Sequence, residues 1–270
     1  MNKDIPQHMN IKKLLYFSIL KFKNMKKLIL LSSILFISFF SMSQTAEEIA
    51  NNYYQAIGGA KWEAVKSILM TANVDAGGMK IPLEIVQMKD GRMYTKINFQ
   101  GQEIIQGAFD GKTSWSTNFM TQKAEKSTSD DNENAMRASK EFPDALVCYK
   151  KLGYTLTLEG EEKVDGVACH KLKLVKKTLL VEGKEVPNIE YYYIDKDSNV
   201  PLQKESEISS GEMKGQIGQT KFSDYQEVNG VILPFSISQG LKDGASQAIS
   251  FDKVLINASI DEKTFVYPEQ

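Results

Sequence analysis

The sequence predicts a mainly β protein: one large, strongly curved antiparallel sheet, an unclosed β-barrel, lidded by a few helices. Three observations carry that expectation. Five Asx-Gly pairs punctuate the chain, at Asp90-Gly91, Asp110-Gly111, Asp165-Gly166, Asn229-Gly230 and Asp243-Gly244. Asn and Asp tolerate positive φ and Gly favours it, so such pairs suit the type I′ turns of β-hairpins. About twelve segments around these turns read as strands, with uneven but visible alternation of apolar residues. Helical spacing is confined to two places, the start of the domain and residues 120–152.

Taken in order, Thr45-Ala46-Glu47-Glu48 has the capping-box pattern, in which the Thr and Glu side chains each satisfy a free helix amide. Ile49, Tyr53 and Ile57 follow at four-residue spacing, Ala50 and Tyr54 widen the stripe, and Gly58-Gly59 stops the helix. After a short turn at 61–66, strands are expected at 68–75, 81–88, 92–99, 103–109 and 113–119. Ser127 to Asn134 is polar and acidic, and Ala135, Met136, Ala138, Phe142, Leu146, Tyr149 and Leu152 then sit at helical spacings. Pro143, suited to a first helical position, divides this insertion into two short helices expected to fold over one face of the sheet. The meander resumes at 154–162, 167–175, 189–194, 202–208, 219–228, 231–239 and 247–256. A sheet this wide curls or closes, and so few helices leave part of its apolar face uncovered.

Residues 1–43 stand apart from that domain. Met25-Lys26-Lys27 and the apolar run from Leu28 to Phe40 read as a cleaved signal peptide, with Ser41-Met42-Ser43 placing the cut before Gln44. The run is shorter than the roughly 20 residues of a membrane span. Residues 1–24 read as an upstream extension from a misplaced start. No Cys follows the run, so the product is expected to be exported to the periplasm and not itself lipid-anchored. Residues 44–270 then form one domain. The removed segment holds seven Lys and one Asp, which leaves 26 basic against 33 acidic residues, net −7. That balance argues against nucleic acid, whose binders carry a basic face.

The chemistry-bearing residues are few. Cys148 and Cys169 leave two readings open, a disulfide or two separate buried thiols, and no Cys-X-X-Cys occurs. His170 is the single histidine of the exported part, on a strand whose neighbours Cys169 and Lys171 point to the opposite face, so a structural role is favoured. There is no Gly-X-Ser-X-Gly elbow, no histidine-based zinc motif and no P-loop. Asp130, Asp131 and Glu133 lack the spacing of a calcium loop and suit the positive end of a helix. The expectation is a non-enzymatic protein without cofactor or metal.

What remains is apolar surface. Leu83, Ile97, Phe99, Phe109, Trp115 and Phe119 sit on the first run of expected strands, and Tyr191, Tyr193, Leu233 and Phe235 on the second. A half-covered sheet bearing these side chains favours an apolar cavity for acyl chains, with Met136, Phe142 and Leu146 on the lid.

Several segments resemble the outer-membrane lipoprotein-sorting (LolA-like) family. They are Gln55-Ala56-Ile57-Gly58-Gly59, Asp110-Gly111-Lys112-Thr113-Ser114-Trp115, the stretch from Tyr225 through Asn229-Gly230 to Pro234, and the closing stretch from Asn257 to Phe265. The resemblance spans most of residues 44–270, in short motifs. It implies an unclosed β-barrel lidded by helices, holding the acyl chains of a lipoprotein or lipid in transit across the periplasm. It also implies an arginine on an early strand that helps latch the lid, and a monomer is expected. Arg92 is its counterpart here, without the Arg-Pro context usual in the family. Relatives of this fold also act as envelope sensors, so an interaction module with an envelope protein partner and no lipid cargo is the alternative.

Overall fold

The computed structural model describes residues 44–76 and 79–269, and the expected leader lies outside them. Helix α1 (Ala46–Ala56) and a 3-10 turn (Gly59–Ala64) lead into β1 (Ser67–Ala76), β2 (Met79–Met88), β3 (Met93–Phe99), β4 (Gln102–Phe109), β5 (Ser114–Thr117) and β6 (Ala124–Lys126). Helices α2 (Ser129–Ala138) and α3 (Ala145–Leu152) follow. The second run comprises β7 (Thr155–Val164), β8 (Val167–Val175), β9 (Leu179–Val181), β10 (Lys184–Val186), β11 (Ile189–Asp195) and β12 (Pro201–Glu207). It ends with β13 (Ile217–Val228), β14 (Val231–Leu241), β15 (Ser246–Ile256) and a 3-10 turn (Glu262–Phe265).

Thirteen strands form one antiparallel sheet in the order β6-β5-β4-β3-β2-β1-β15-β14-β13-β12-β11-β8-β7. The two meanders are joined where β1 pairs with β15, from Ile68 opposite Ile256 to Ala72 opposite Phe251. Strands β6 and β7 are consecutive in sequence yet occupy opposite edges. The segment between them, carrying α2 and α3, therefore has to cross the gap of an unclosed barrel. Topology alone puts the helical insertion where a lid belongs.

Three strands were not expected. Strand β6 is only three residues long, and β9 and β10 form a separate hairpin whose Glu182-Gly183 turn has no Asx residue. The Asx-Gly pairs also divide into kinds. Asp165-Gly166 and Asn229-Gly230 have both φ values positive, as a type I′ turn requires. At Asp90 and Asp110 only the glycine is left-handed, and the Asp carboxylate accepts from the amide two residues on, 3.2 Å from Arg92 N and 2.8 Å from Lys112 N. These are Asx turns in four-residue connections, where the side chain substitutes for the missing backbone acceptor.

The alternation of strand residues gives the sheet two different faces. The inner face carries α1, α3 and the main core, including Ile49, Tyr53, Trp62, Leu146, Leu172 and Ile194. Helix α1 opens with the expected capping box, Thr45 Oγ1 accepting from Glu48 N at 3.2 Å and Glu48 Oε2 from Thr45 N at 2.7 Å. It ends at Gly58, φ +117°, where a Cβ would lie 2.6 Å from the Gly230 carbonyl oxygen, so only glycine lets the helix end sit on the β13–β14 turn. The outer face has its own core of Val86, Tyr94, Ile105, Ala108 and Trp115, closed by Phe265 from the last 3-10 turn.

Candidate functional site

The site is built on the inner face. Below the helices lies a cavity of about 280 Å³, bordered by Tyr53 of α1, Ile57 just past its end, Trp62, Met70, Tyr192, Leu233 and Ile237. Away from the helices, half-buried Val74, Ile85, Ile97, Leu233, Phe235, Ile237 and Ile249 continue the apolar surface. Ile237 pairs with Ile249, β1 pairs with β15 and β2, and Leu83 pairs with Ile97. The apolar trough thus extends over β14, β15, β1, β2 and β3.

One carboxyl group interrupts that apolar surface. Asp144 caps α3, accepting from Val147 N at 2.9 Å, and borders the cavity. It also accepts from the Tyr53 hydroxyl, which ties α3 to α1. Burial raises the Asp144 pKa above its ordinary value, against the stabilising hydrogen bonds from Tyr53 and Val147 N and the charge of Lys204. The Tyr53 phenol is likewise raised, by burial first and by Asp144 second.

A charged cluster holds the insertion to the sheet beside this point. Lys176, its side chain 9% exposed, pairs with Glu141 at 2.9 Å and with Glu190 at 3.3 Å, and Lys204 reaches Glu190 at 3.4 Å. Tyr154 donates to Glu141 at 2.7 Å and Tyr192 to Glu190 at 2.8 Å. Burial works to lower the Lys176 pKa, but Glu190 and Glu141 outweigh it and the net shift is upward. Helix α2 is held differently. None of its residues is buried, and Asn134 clasps the β9–β10 hairpin through paired 2.8 Å hydrogen bonds with the Leu180 amide and carbonyl. Asp130 accepts from Gly183 N at 2.7 Å, and Arg137 donates to the Thr178 carbonyl.

The expected site residues fall into three groups. Leu83, Ile97, Leu233 and Phe235 belong to the inner face, and Phe109 borders a second pocket of about 400 Å³ shared with Ala135 of α2. Phe99 and Phe119 pack at 5.9 Å where β3 and β5 end, with Phe119 56% exposed. Trp115, Tyr191 and Tyr193 point to the outer face. Trp115 donates to the Phe265 carbonyl at 2.9 Å, and Tyr193 packs with Cys169 and donates to Glu205 at 3.0 Å. In a run of three tyrosines the period-2 rule leaves the phase open, and it is Tyr192 that faces inward.

Of the expected lid residues, Leu146 is fully buried, Phe142 meets Trp62 edge-on at 6.0 Å and Met136 is exposed. Among the described residues Arg92 makes no hydrogen bond or ion pair with the insertion. It pairs with Asp90 at 2.8 Å and Glu262 at 3.4 Å and stacks 5.1 Å over Phe265, so it fastens the C-terminal segment, while Lys176 and Asn134 fasten the helices. Cys148 and Cys169 are free buried thiols on opposite faces, and burial pushes Cys148 up to about 11. His170 is 6% exposed, with Nδ1 unpartnered. Among the described residues no group of three or more His, Cys, Asp or Glu could hold a metal ion, and no helix is long and apolar enough to cross a membrane. Sequence reasoning missed Asp144 because an Asp before a helix reads as a cap, and nothing local shows that the cap is roofed over.

With this geometry in place, comparison with known proteins gives the class of fold. No protein-family model matches the chain, and no curated protein matches it by sequence. A DUF1329 family protein from Desulfovibrio piger shares the fold, with TM-score 0.52 and 15% identity over 83% of this chain and 98% of that one. A domain from Vibrio parahaemolyticus named for outer membrane lipoprotein sorting aligns with TM-score 0.48 and 14% identity, over 82% of this chain and 97% of that one. A LolA superfamily protein from Nitrosomonas europaea aligns with TM-score 0.49 and 13% identity, over 83% and 98%. The fold is an unclosed antiparallel barrel with a helical lid, and the Desulfovibrio piger protein shares it.

Proposed function

We propose that this chain is a non-enzymatic periplasmic carrier that shields the acyl chains of a lipoprotein or lipid in its inner trough. The observation that carries the reading is the half-buried apolar surface over β14, β15, β1, β2 and β3, which adjoins the cavity of about 280 Å³ through Leu233 and Ile237. That volume is near the lower end for ligand pockets, about 300 Å³ upward, so the cavity takes the end of a chain and the open trough takes the rest. Each methylene buried there contributes about 0.8 kcal/mol. Leu83, Ile97, Phe235 and Leu233 would contact the chain, and the weakly held α2 would move to release it.

Native mass spectrometry of the exported protein, purified from its own envelope fraction without detergent, tests this reading. A defined adduct that yields acyl chains on extraction supports it. Bare protein, together with no saturable uptake of a fluorescent fatty-acyl probe, overturns it.

A further inference from the structure

The two ends of the barrel differ in chemistry, and the strand register sorts its turns between them. Successive turns of an antiparallel meander alternate between the ends. The closing pairs Ala76–Met79, Phe99–Gln102 and Thr117–Ala124 therefore share one end. Through the β1–β15 pairing, Gly240–Ser246 and Glu207–Ile217 close the β14–β15 and β12–β13 connections at that end too. The opposite end carries Asp90-Gly91, Asp110-Gly111, Asp165-Gly166 and Asn229-Gly230, polar turns throughout.

The first end presents apolar side chains at its tips. Met120 is 89% exposed in the β5–β6 connection, beside exposed Phe119, which packs on Phe99 of the neighbouring hairpin at 5.9 Å. Met79 is exposed where β2 begins, and Met213 and Ile217 where β12 passes into β13. At the other end exposed Val167 begins β8, and exposed Val266 follows Phe265, which packs on Tyr94 near the start of β3. Neither stands at a hairpin tip.

The inner trough reaches this apolar rim. Its residues Val74, Ile97 and Ile249 lie within three residues of the rim ends of β1, β3 and β15. Helix α1, by contrast, ends on the β13–β14 turn at the opposite end. Charge at the rim is weak. Residues 118–123 carry one charged side chain, Lys123, residues 208–216 carry two that balance, Glu212 and Lys214, and Gln100-Gly101 carries none. A protein partner is met by one packed apolar face with a polar rim, whereas these side chains stand on separate tips. Separate apolar tips suit a lipid interface, which each can enter without help from a strong field.

We propose that this rim is a membrane-docking surface, which inserts its apolar tips, led by Phe119 and Met120, into the interface of a lipid bilayer. Docking sets the adjoining end of the trough against the lipid. The inference goes beyond the carrier reading, since the rim needs no cargo to bind, and the two are tested by separate measurements.

The test is flotation of the exported protein with zwitterionic phosphatidylcholine vesicles. Wild type is compared with Met79→Ser/Met120→Ser/Met213→Ser and with a control altered at the other end, Val167→Ser/Val266→Ser. All five positions are exposed, and urea midpoints equal to wild type establish that both variants fold. The triple variant should bind about tenfold more weakly and the control should bind as wild type does. Met120→Ser alone should weaken binding in the same direction. Adding phosphatidylglycerol should change binding less than the triple substitution does. Uptake of a fluorescent fatty-acyl probe from vesicle-free buffer should be unchanged in the triple variant, which separates docking from cargo binding. Wild type that does not float, equal losses in triple variant and control, or binding that requires anionic lipid and vanishes in salt would each overturn the proposal. Wild type that ignores vesicles but self-associates through the three methionines overturns it as well, and assigns the rim to a second copy of this chain.

Discussion

The Tyr53 hydroxyl donates to the Asp144 carboxylate, and this contact joins α1 to the N-cap of α3 above the inner trough, alongside the Glu47–Lys150 ion pair. It places a polar pair at the roof of an apolar cavity, where losing one partner is costly. Tyr53→Phe leaves a buried carboxylate with one donor fewer. We expect it to lower unfolding free energy by about 1–3 kcal/mol, read from urea midpoints at pH 7. An unchanged midpoint would show that the contact does not fasten the lid.

The same pair sets a pH dependence. An unfolded Asp144 ionises near the ordinary carboxyl value of 3.8, whereas in the folded chain burial holds it higher. Between those two values the folded state binds more protons, so Asp144 makes stability fall as pH rises through that window. Asp144→Asn keeps the cap to Val147 N and removes the titration. Relative to wild type, the Asn variant should gain stability as pH rises above 3.8, and the gain should level off once pH passes the raised folded value. Parallel stability–pH curves for the two proteins would contradict this.

His170 acts in the opposite direction. Burial first, then the charge of Lys196, lowers its pKa below 6.5, with Glu161 opposing. Its contribution is fully present above 6.5 and is lost as pH falls through the lower folded value, because the unfolded histidine takes up its proton first. His170→Leu should therefore flatten the loss of melting temperature between pH 7 and pH 5. A steeper loss in the variant would mean that the protonated ring has a partner in the fold.

Lys176 stands between two carboxylates that are themselves mostly buried, 12% and 11% exposed at Glu141 and Glu190. Lys176→Met leaves both charges without their shared cation, and the expected cost is about 3–5 kcal/mol. Simultaneous apolar replacement of Glu141 and Glu190 should recover most of that loss. No recovery would assign the cost to packing of the lysine stem.

Helix α2 buries no residue, so its attachment is local. Asn134→Ala removes both hydrogen bonds to Leu180. Hydrogen exchange at the Leu180 amide should then quicken by roughly tenfold while the global unfolding midpoint hardly moves. A matching drop in the global midpoint would show that α2 is part of the cooperative core.

The strands and their inward stripe were legible where alternation had a clear phase. Ile97 could be placed because it stands between Lys96 and Asn98, and Leu83, Leu233 and Phe235 because each continues a period-2 stripe, Ile81-Leu83-Ile85 and Leu233-Phe235-Ile237. Tyr191-Tyr192-Tyr193 could not, since three identical residues carry no phase and the wrong two were expected inside. Trp115 alternates correctly, but the outer face has a core of its own around it, and that core depends on Phe265 returning 150 residues later. The same long-range return takes Arg92 away from the lid, because Glu262 and Phe265 reach its guanidinium. The β9–β10 clasp escaped notice because a Glu-Gly turn resembles an ordinary loop.

The most direct test of the central claim is photo-crosslinking of the exported protein with a fatty acid carrying a diazirine along its chain, followed by peptide mapping. The account predicts labels on β14, β15 and β2–β3, at or beside Phe235, Ile237, Ile249, Leu83 and Ile97, competed away by unlabelled fatty acid. Labels confined to the outer face around Trp115 and Phe265, or labelling that competitor does not reduce, would contradict it.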